Sequence, residues 1–260
     1  MLSLEDIKEH YPPLVRDMPR HLLREYLQYK ILQHIFDNKY ANKLCFIWWT
    51  ALRIVYNNQR FSEDLDFDNF DLSIAEFEDI MKHVVSGLEH EWLVVEMRNI
   101  YKWAYHCYIK IPNILFDNEL SGQKTERILI KIDTYRQGHD FVVEKKLINE
   151  FDVTTSINIA PLSLILSHKL CTIFNRKTCK GRDFFDIAYI LSKTKKPDRN
   201  YIKKYLDIDS PQALKKNILE LSKNLDWEKL NEDAKPFFFY KDDKKVLNFK
   251  EIIQQIEFEQ

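Results

Sequence analysis

Several features that would assign this chain to a specialised class of protein are missing from its sequence. The formal net charge is only −1 over 260 residues, which excludes a protein that is basic all over but permits a local basic patch. The four cysteines form no CxxC pair, so we expect reduced thiols. No apolar run approaches membrane-spanning length, and the charged N-terminus lacks a signal-peptide core. We therefore expect a soluble cytoplasmic protein with no membrane segment.

Composition and periodicity indicate an α+β protein with two regions. Hydrophobic residues make up 45% of the chain and aromatic residues 13%, so it can bury a sizeable core. Residues 1–160 mix helical and alternating patterns, which predicts an α/β core with N-terminal helices. In residues 161–260 the apolar positions recur at helical spacing, which predicts a C-terminal helical region.

Local patterns predict individual elements of the first region. Residues 44–49 are a continuous apolar run of strand length, and Thr50 can cap a short helix that follows them. The segment from Ser73 to Glu76 is a capping box, and it predicts a helix that continues to about Gly87.

The most informative acidic residues follow that short helix. Asp64, Asp66 and Asp68 alternate with hydrophobic residues, so on a strand all three carboxylates share one face. Carboxylates that converge on one point repel each other unless a cation lies between them, and Mg²⁺ is the usual occupant. The alternative is an exposed edge strand whose acids simply face solvent.

A second alternating segment, residues 126–136, supplies a further carboxylate. Ile128, Ile130 and Ile132 are predicted to face the core, which turns Asp133 to the opposite face. On a neighbouring strand, Asp133 would complete a three-acid cluster of the kind that holds two metal ions. The alternative is an acid that happens to lie near a strand end.

A basic stretch marks the second region. Residues 153–182 contain no Asp or Glu but carry five positive charges: Lys169, Arg176, Lys177, Lys180 and Arg182. A lysine aimed at phosphate oxygens stabilises phosphoryl transfer, which is the functional interpretation of Lys169. The alternatives are a lysine that extends from a helix into solvent and a solvated basic loop. Asp183 and Asp186 lie three residues apart and share a helix face.

Two segments resemble one family closely. Thr50-Ala51-Leu52-Arg53 and the run from Arg60 to Phe67, RFSEDLDF, are similar to the signature of the AbiEii/AbiGii toxin branch of the DNA polymerase β-like nucleotidyltransferases. In that branch the signature usually reads GGTALRL followed by RFSEDLDF. The family also has a helix with a lysine, a basic loop and an RDxxD motif, which Lys169 and the segment Arg182 to Asp186 match.

The resemblance implies a mixed sheet flanked by helices, followed by a helical region that completes the active site. It implies that the protein transfers a nucleoside monophosphate from an NTP to RNA, with the tRNA 3′ end as acceptor. It also implies a toxin that is paired with a separately encoded antitoxin in a phage-defence or toxin–antitoxin operon. Its implied site residues are Asp64, Asp66 and Asp133 for Mg²⁺, Lys169 for phosphates, Asp186 as support, and Trp48, Trp49, Thr50, Arg53, Ser62 and Arg182 around the nucleotide.

One departure from the family is serious. Trp48 and Trp49 stand where the family has two glycines, which let the backbone turn tightly and approach phosphates. Tryptophan disfavours positive φ and is bulky, so we expect a blocked or weakened triphosphate site. The alternative function is an inert nucleotidyltransferase fold that binds RNA or a protein partner, with indoles that stack on a base.

Overall fold

The computed structural model describes residues 1–259, and its chain divides into two compact units. The first unit comprises residues 1–57 and 61–159, and the second comprises residues 58–60 together with the chain from Ala160 onward. No helix among residues 1–259 combines the length and the apolar character that a membrane span requires.

The first unit contains five α-helices and seven strands within the described residues. The helices are α1 (Leu4–Glu9), α2 (Pro19–Phe36), α3 (Trp48–Ile54), α4 (Ile74–His90) and α5 (Ile114–Asp117). The strands are β1 (Leu44–Ile47), β2 (Leu65–Asn69), β3 (Glu96–Tyr101), β4 (Tyr105–Pro112), β5 (Arg127–Tyr135), β6 (Glu144–Glu150) and β7 (Val153–Ile159).

The seven strands form one mixed sheet in the order β3-β4-β5-β2-β1-β7-β6. The pairs β2–β5 and β1–β7 are parallel, and the other neighbouring pairs are antiparallel. This architecture confirms the α+β fold with a mixed sheet flanked by helices.

The two faces of the sheet differ in chemistry. Along β5 the isoleucines at 128, 130 and 132 are buried, whereas Lys131 and Asp133 point the other way, as the alternation predicted. Helices cover the apolar face: Phe36 of α2 packs 6.2 Å from Phe67 of β2, between ring centroids. The polar face therefore carries the acids of β2 and β5.

Two local predictions need correction. The first strand ends at Ile47 rather than at residue 49, because the chain turns into α3 at Trp48. The residue that caps α3 is Ile47, not Thr50. Thr50 lies inside the helix, and its hydroxyl bonds to a neighbouring loop instead.

The capping box at Ser73 is confirmed, but its helix is longer than predicted. Ser73 accepts from the backbone N–H of Glu76, whose side chain accepts from the N–H of Ser73. The helix passes through Gly87 and ends at His90. A Cβ at Gly87 would lie 2.3 Å from the ring of His34, so this glycine serves close helix packing rather than termination.

The second unit is helical, as predicted for the C-terminal region. Its α-helices are α6 (Leu162–Asn175), α7 (Gly181–Leu191), α8 (Arg199–Leu206), α9 (Pro211–Leu221), α10 (Trp227–Ala234) and α11 (Phe249–Gln255). Aromatic side chains form much of its core: Phe184 of α7 contacts Trp227 of α10 and Phe249 of α11 at centroid distances of 5.1 and 5.0 Å.

Candidate active site

The sheet brings two of the predicted carboxylates side by side. Asp66 of β2 and Asp133 of β5 are register partners in a parallel pair, so both side chains leave the same face of neighbouring strands. Strands in a sheet are about 4.8 Å apart, which puts these carboxylates within reach of a shared ligand. Asp64 lies immediately before β2 and is half-buried.

Asp133 is held by two basic side chains of neighbouring positions in the sheet. His106 of β4 is its register partner across the sheet, and the His106 Nδ1 lies 2.7 Å from Asp133 Oδ1. The ammonium of Lys131 contacts the other carboxylate oxygen. Burial lowers the pKa of Lys131, but the hydrogen bond and charge of Asp133 outweigh it, so the net pKa is raised.

Sequence reasoning did not single out His106. Its contact with Asp133 depends on the register between β4 and β5. Register is set by long-range pairing, so a single sequence does not reveal that His106 faces Asp133.

The environment of Asp64 favours a cation. Burial raises its pKa, and the negative charges of Glu63 and Asp133 raise it further, while Lys131 opposes them. The charged form of Asp64 is therefore less stable than that of an exposed aspartate, and added positive charge would stabilise it.

The acids offer the hard oxygen ligands that Mg²⁺ prefers, so their chemistry fits that ion. Among residues 1–259, however, no group of three or more acids, histidines or cysteines is close enough to hold a metal. Part of the cation role at Asp133 is filled by the ammonium of Lys131.

Asp68, the third acid of the alternating run, has a different task. Its Oδ1 accepts a hydrogen bond of 2.9 Å from the backbone N–H of Gln137, beyond the end of β5. Burial raises the pKa of Asp68 to about 6. Asp68 therefore ties the loop after β5 to the sheet.

Trp48 adopts the backbone conformation that glycine would adopt at no cost. Its φ is +65°, in the left-handed region, and a residue with a Cβ loses about 1–3 kcal/mol there. The tight turn expected of the family's glycines is therefore present in this chain, with an indole attached to it.

The ring of Trp48 crosses the strand that carries Asp66. Its centroid lies 5.7 Å from Tyr135, at the end of β5, and 5.2 Å from Trp49. Strands β1 and β5 are separated by β2, so their axes are about 9.6 Å apart. The side chains of Trp48 and Tyr135 must therefore reach towards each other over β2, on the face that carries the acids.

Thr50 and Ser62 fix the loop before β2. The Thr50 hydroxyl lies 2.8 Å from Ser62 Oγ and also contacts the carbonyl oxygen of Asp64. Gln28 of α2 donates to the carbonyl oxygens of Ser62 and Glu63 at 3.1 and 2.9 Å. These bonds hold Asp64 at the entrance to β2.

Arg53 is engaged inside the first unit. Its guanidinium donates to both carboxylate oxygens of Glu25, with the shortest bond at 2.9 Å, and to Asn57 at 2.8 Å. Only 9% of Arg53 is exposed. Its predicted contact with a nucleotide stays a prediction, and in this structure it braces α3 against α2.

Lys169 and Asp186 lie in the second unit, in a buried charge network. Asp186 is fully buried and accepts from Arg60 Nε and Nη2 at 2.7 and 2.6 Å and from Asn58 at 2.7 Å. The Lys169 ammonium contacts Asp186 and lies 3.2 Å from Asp183. Burial alone would raise the pKa of Asp186, but Arg60 and Lys169 outweigh it and hold that pKa low.

Two arginines of the basic motif make different contacts. Arg176 donates to Asp183 at 2.6 Å, so Asp183 bridges Arg176 and Lys169. Arg182 lies over the ring of Phe237, with its guanidinium carbon 4.3 Å from the centroid. The sharing of a helix face by Asp183 and Asp186 is confirmed, because both carboxylates contact Lys169.

Comparisons with known proteins agree with this architecture. A family model described as nucleotidyl transferase AbiEii toxin, type IV TA system, matches residues 30–249. JHP933 from Helicobacter pylori is similar in structure, with a TM-score of 0.56, 19% identity and 90% of each chain covered. MenT4, a nucleotidyltransferase toxin from Mycobacterium tuberculosis H37Rv, is also similar, with a TM-score of 0.57, 12% identity, and 99% of this chain and 91% of that chain covered. Comparison with curated proteins gives no match.

Proposed function

The chain belongs to the AbiEii nucleotidyltransferase toxin family, and on that premise we propose that it transfers a nucleoside monophosphate from an NTP to RNA, with a tRNA 3′ end as acceptor. The observation that carries this proposal is the parallel register of Asp66 and Asp133 on the polar face of the sheet. Asp64 adds a third carboxylate whose pKa is raised by burial and by nearby negative charge.

Asp64, Asp66 and Asp133 are the residues that would hold Mg²⁺. When bound, Mg²⁺ would neutralise these acids and the triphosphate and lower the pKa of the attacking hydroxyl. His106 would orient Asp133 through its 2.7 Å hydrogen bond, and the Thr50–Ser62 bond would fix the loop that carries Asp64.

In the proposed reaction a hydroxyl oxygen of the acceptor forms a bond to the α-phosphorus and gives up its proton to a nearby carboxylate or to water. The bond from the α-phosphorus to the bridging oxygen breaks, and pyrophosphate leaves. Asp64 and Asp66 would act on the reacting phosphate only through the Mg²⁺ that they would hold beside the sheet. Lys169 is proposed to contact phosphate, as the family motif implies, and Asp186 to position it. That contact requires the Lys169 ammonium to exchange its bonds with Asp183 and Asp186 for bonds to the nucleotide.

Trp48 supports a second candidate function. Its ring lies over β2, where a triphosphate would approach Asp66, so the indole would weaken nucleotide binding. A fully blocked site would leave an inert fold that binds RNA or a protein partner. The two functions differ in whether Mg²⁺-dependent transfer occurs at all.

Label transfer tests the proposal directly. The protein is incubated with each α-labelled NTP, total tRNA and Mg²⁺, and labelled RNA is measured. We expect transfer that falls at least about 100-fold in Asp66→Asn, because loss of a metal ligand costs no less than loss of its supporting partner. Asp117→Asn, an exposed acid of α5, is the matched control and should transfer normally.

The Trp48→Gly/Trp49→Gly variant separates the two candidate functions. Activity in the unchanged protein that disappears in Asp66→Asn supports the enzyme. Transfer that appears only in the double glycine variant supports a site blocked by indoles. No transfer with any NTP in either protein would refute the proposed reaction.

The family description also concerns partners. Its members are toxins of a toxin–antitoxin system, so we propose a separately encoded antitoxin for this chain. We further propose that the protein acts in the cytoplasm, where NTPs and tRNA are found. Co-expression with the product of a neighbouring gene, scored by relief of growth arrest, tests the first of these statements.

A further inference from the structure

A continuous row of aromatic rings runs along one edge of the candidate site. Trp49 stacks on Trp48, Trp48 contacts Tyr135, and Tyr135 contacts Trp103, with centroid distances of 5.2, 5.7 and 5.5 Å. Trp103 also contacts His106, the partner of Asp133, at 6.3 Å. The row therefore begins beside β1 and ends at the residue that orients Asp133.

The exposed end of the row is Trp103, in the turn between β3 and β4. Its side chain is 79% exposed, although indoles are among the most apolar side chains in proteins. Both of its ring contacts are edge-on, with interplanar angles of 73° and 88°. Most of the indole surface is thus accessible to a flat ligand.

The surroundings of the row favour a nucleobase over an apolar protein surface. Exposed apolar surfaces that bind proteins are typically contiguous patches of several hundred Å². The aromatic row is instead one ring wide and has charged neighbours. Lys102 is exposed beside Trp103, and Lys131 and Asp133 lie beside Tyr135. Bases stack on aromatic rings, and an exposed lysine such as Lys102 attracts the phosphates between them.

We infer that the row formed by Trp48, Trp49, Tyr135 and Trp103 is a stacking site for unpaired nucleobases. Its ligand is the single-stranded end of an RNA, which it guides towards Asp66 and Asp133. This assignment deepens the proposed function by giving the acceptor a binding site. Stacking itself does not depend on transfer, so it would persist in a catalytically inert protein.

Binding measured without catalysis tests this inference. A short fluorescein-labelled single-stranded RNA is titrated with protein in EDTA and without NTP, and anisotropy gives Kd. Trp103→Ala should raise Kd roughly 5- to 150-fold, the equivalent of one lost base–aromatic stack. Trp103→Phe should retain most of the affinity, because the ring remains.

Trp92 provides the matched control. It is 94% exposed and lies in the same unit, but in the turn before β3 and outside the row. Trp92→Ala should leave Kd unchanged. Equal affinity of Trp103→Ala and the unchanged protein, or equal loss in Trp92→Ala, would overturn the inference.

Two further binding experiments identify the ligand. An RNA that is abasic at its 3′ end should bind more weakly to the unchanged protein and should lose its dependence on Trp103. A free NTP that displaces the RNA only from proteins with Trp103 would assign the stacked base to the nucleotide substrate. Failure of the label-transfer assay with these results intact would refute the proposed reaction and leave the stacking site standing.

Discussion

The buried charge network around Asp186 should lose more stability when a negative charge is removed than when a positive charge is removed. Its five charged members are Arg60, Lys169, Arg176, Asp183 and Asp186, three positive and two negative. Changing Asp186 to Asn preserves the volume but leaves three positive charges against one negative charge. Changing Lys169 to Met leaves two charges of each sign. The two variants should therefore differ strongly in stability.

The magnitude follows from the burial of the pair. Removing one partner from a buried ion pair costs about 3–5 kcal/mol, because the other charge stays desolvated. Asp186→Asn should lose that amount, since Arg60 and Lys169 are 2% and 1% exposed. Lys169→Met should lose less than about 2 kcal/mol, because Arg60 and Arg176 continue to pair both acids.

Urea unfolding followed by far-UV circular dichroism measures the difference. With a slope of about 3 kcal/mol/M, Asp186→Asn should lower the midpoint by roughly 1–1.7 M. The exposed pair of Lys203 and Asp207 in the same unit supplies a control, and Asp207→Asn should leave the midpoint unchanged.

A midpoint for Asp186→Asn within error of the unchanged protein would refute the account of a structural network. Equal losses in Asp186→Asn and Lys169→Met would refute the charge arithmetic. If Lys169→Met is stable, its KM for NTP then tests the proposed phosphate contact without interference from unfolding.

Three further predictions follow from the first unit. Trp48→Gly/Trp49→Gly should bind Mg²⁺–NTP more tightly in isothermal titration, whereas Trp92→Gly, which relieves a similar positive φ of 67° outside the site, should not. Lys131→Met should tighten Mn²⁺ binding, measured by electron paramagnetic resonance, about 5-fold, because the ion pair that competes with the metal is worth roughly 1 kcal/mol. As a control, Lys146→Met removes the ion pair with Glu144 and should not change Mn²⁺ binding. The hydrogen bond from Lys43 lowers the pKa of Glu76 from 4.5 to about 2. Ionised Glu76 therefore stabilises the fold above pH 4.5, and this stabilisation is lost as the pH falls towards 2. The melting temperature of Glu76→Gln should lie below that of the unchanged protein at neutral pH and match it below pH 2.

Short-range periodicity was enough to predict the faces of the key strands. The alternation in residues 126–136 correctly assigned Ile130 to the core and Asp133 to the polar face, because side chains in a strand alternate strictly. The three-residue spacing of Asp183 and Asp186 likewise predicted a shared helix face. These features depend only on local geometry.

The sequence alone did not reveal which residues pair over long distances along the chain. Nothing near Asp133 indicates that His106 lies opposite it, or that Arg60 pairs with Asp186 across 126 positions of the chain. The hairpin of β6 and β7 was not predicted, although Val153, Thr155 and Ile157 alternate as buried residues in a strand should. That signal was available and was obscured by the polar residues of β6.

Trp48 shows that a tight turn with positive φ can carry an indole into the candidate site. Its φ of +65° preserves the tight turn for which glycine is best suited. What changes is the surface: the site gains an indole that reaches Tyr135 over β2. On our proposal of a stacking row, this indole contacts a nucleobase. The register of Asp66 and Asp133 is set by the pairing of β2 with β5, so the indole can alter what the site binds while the two carboxylates stay side by side.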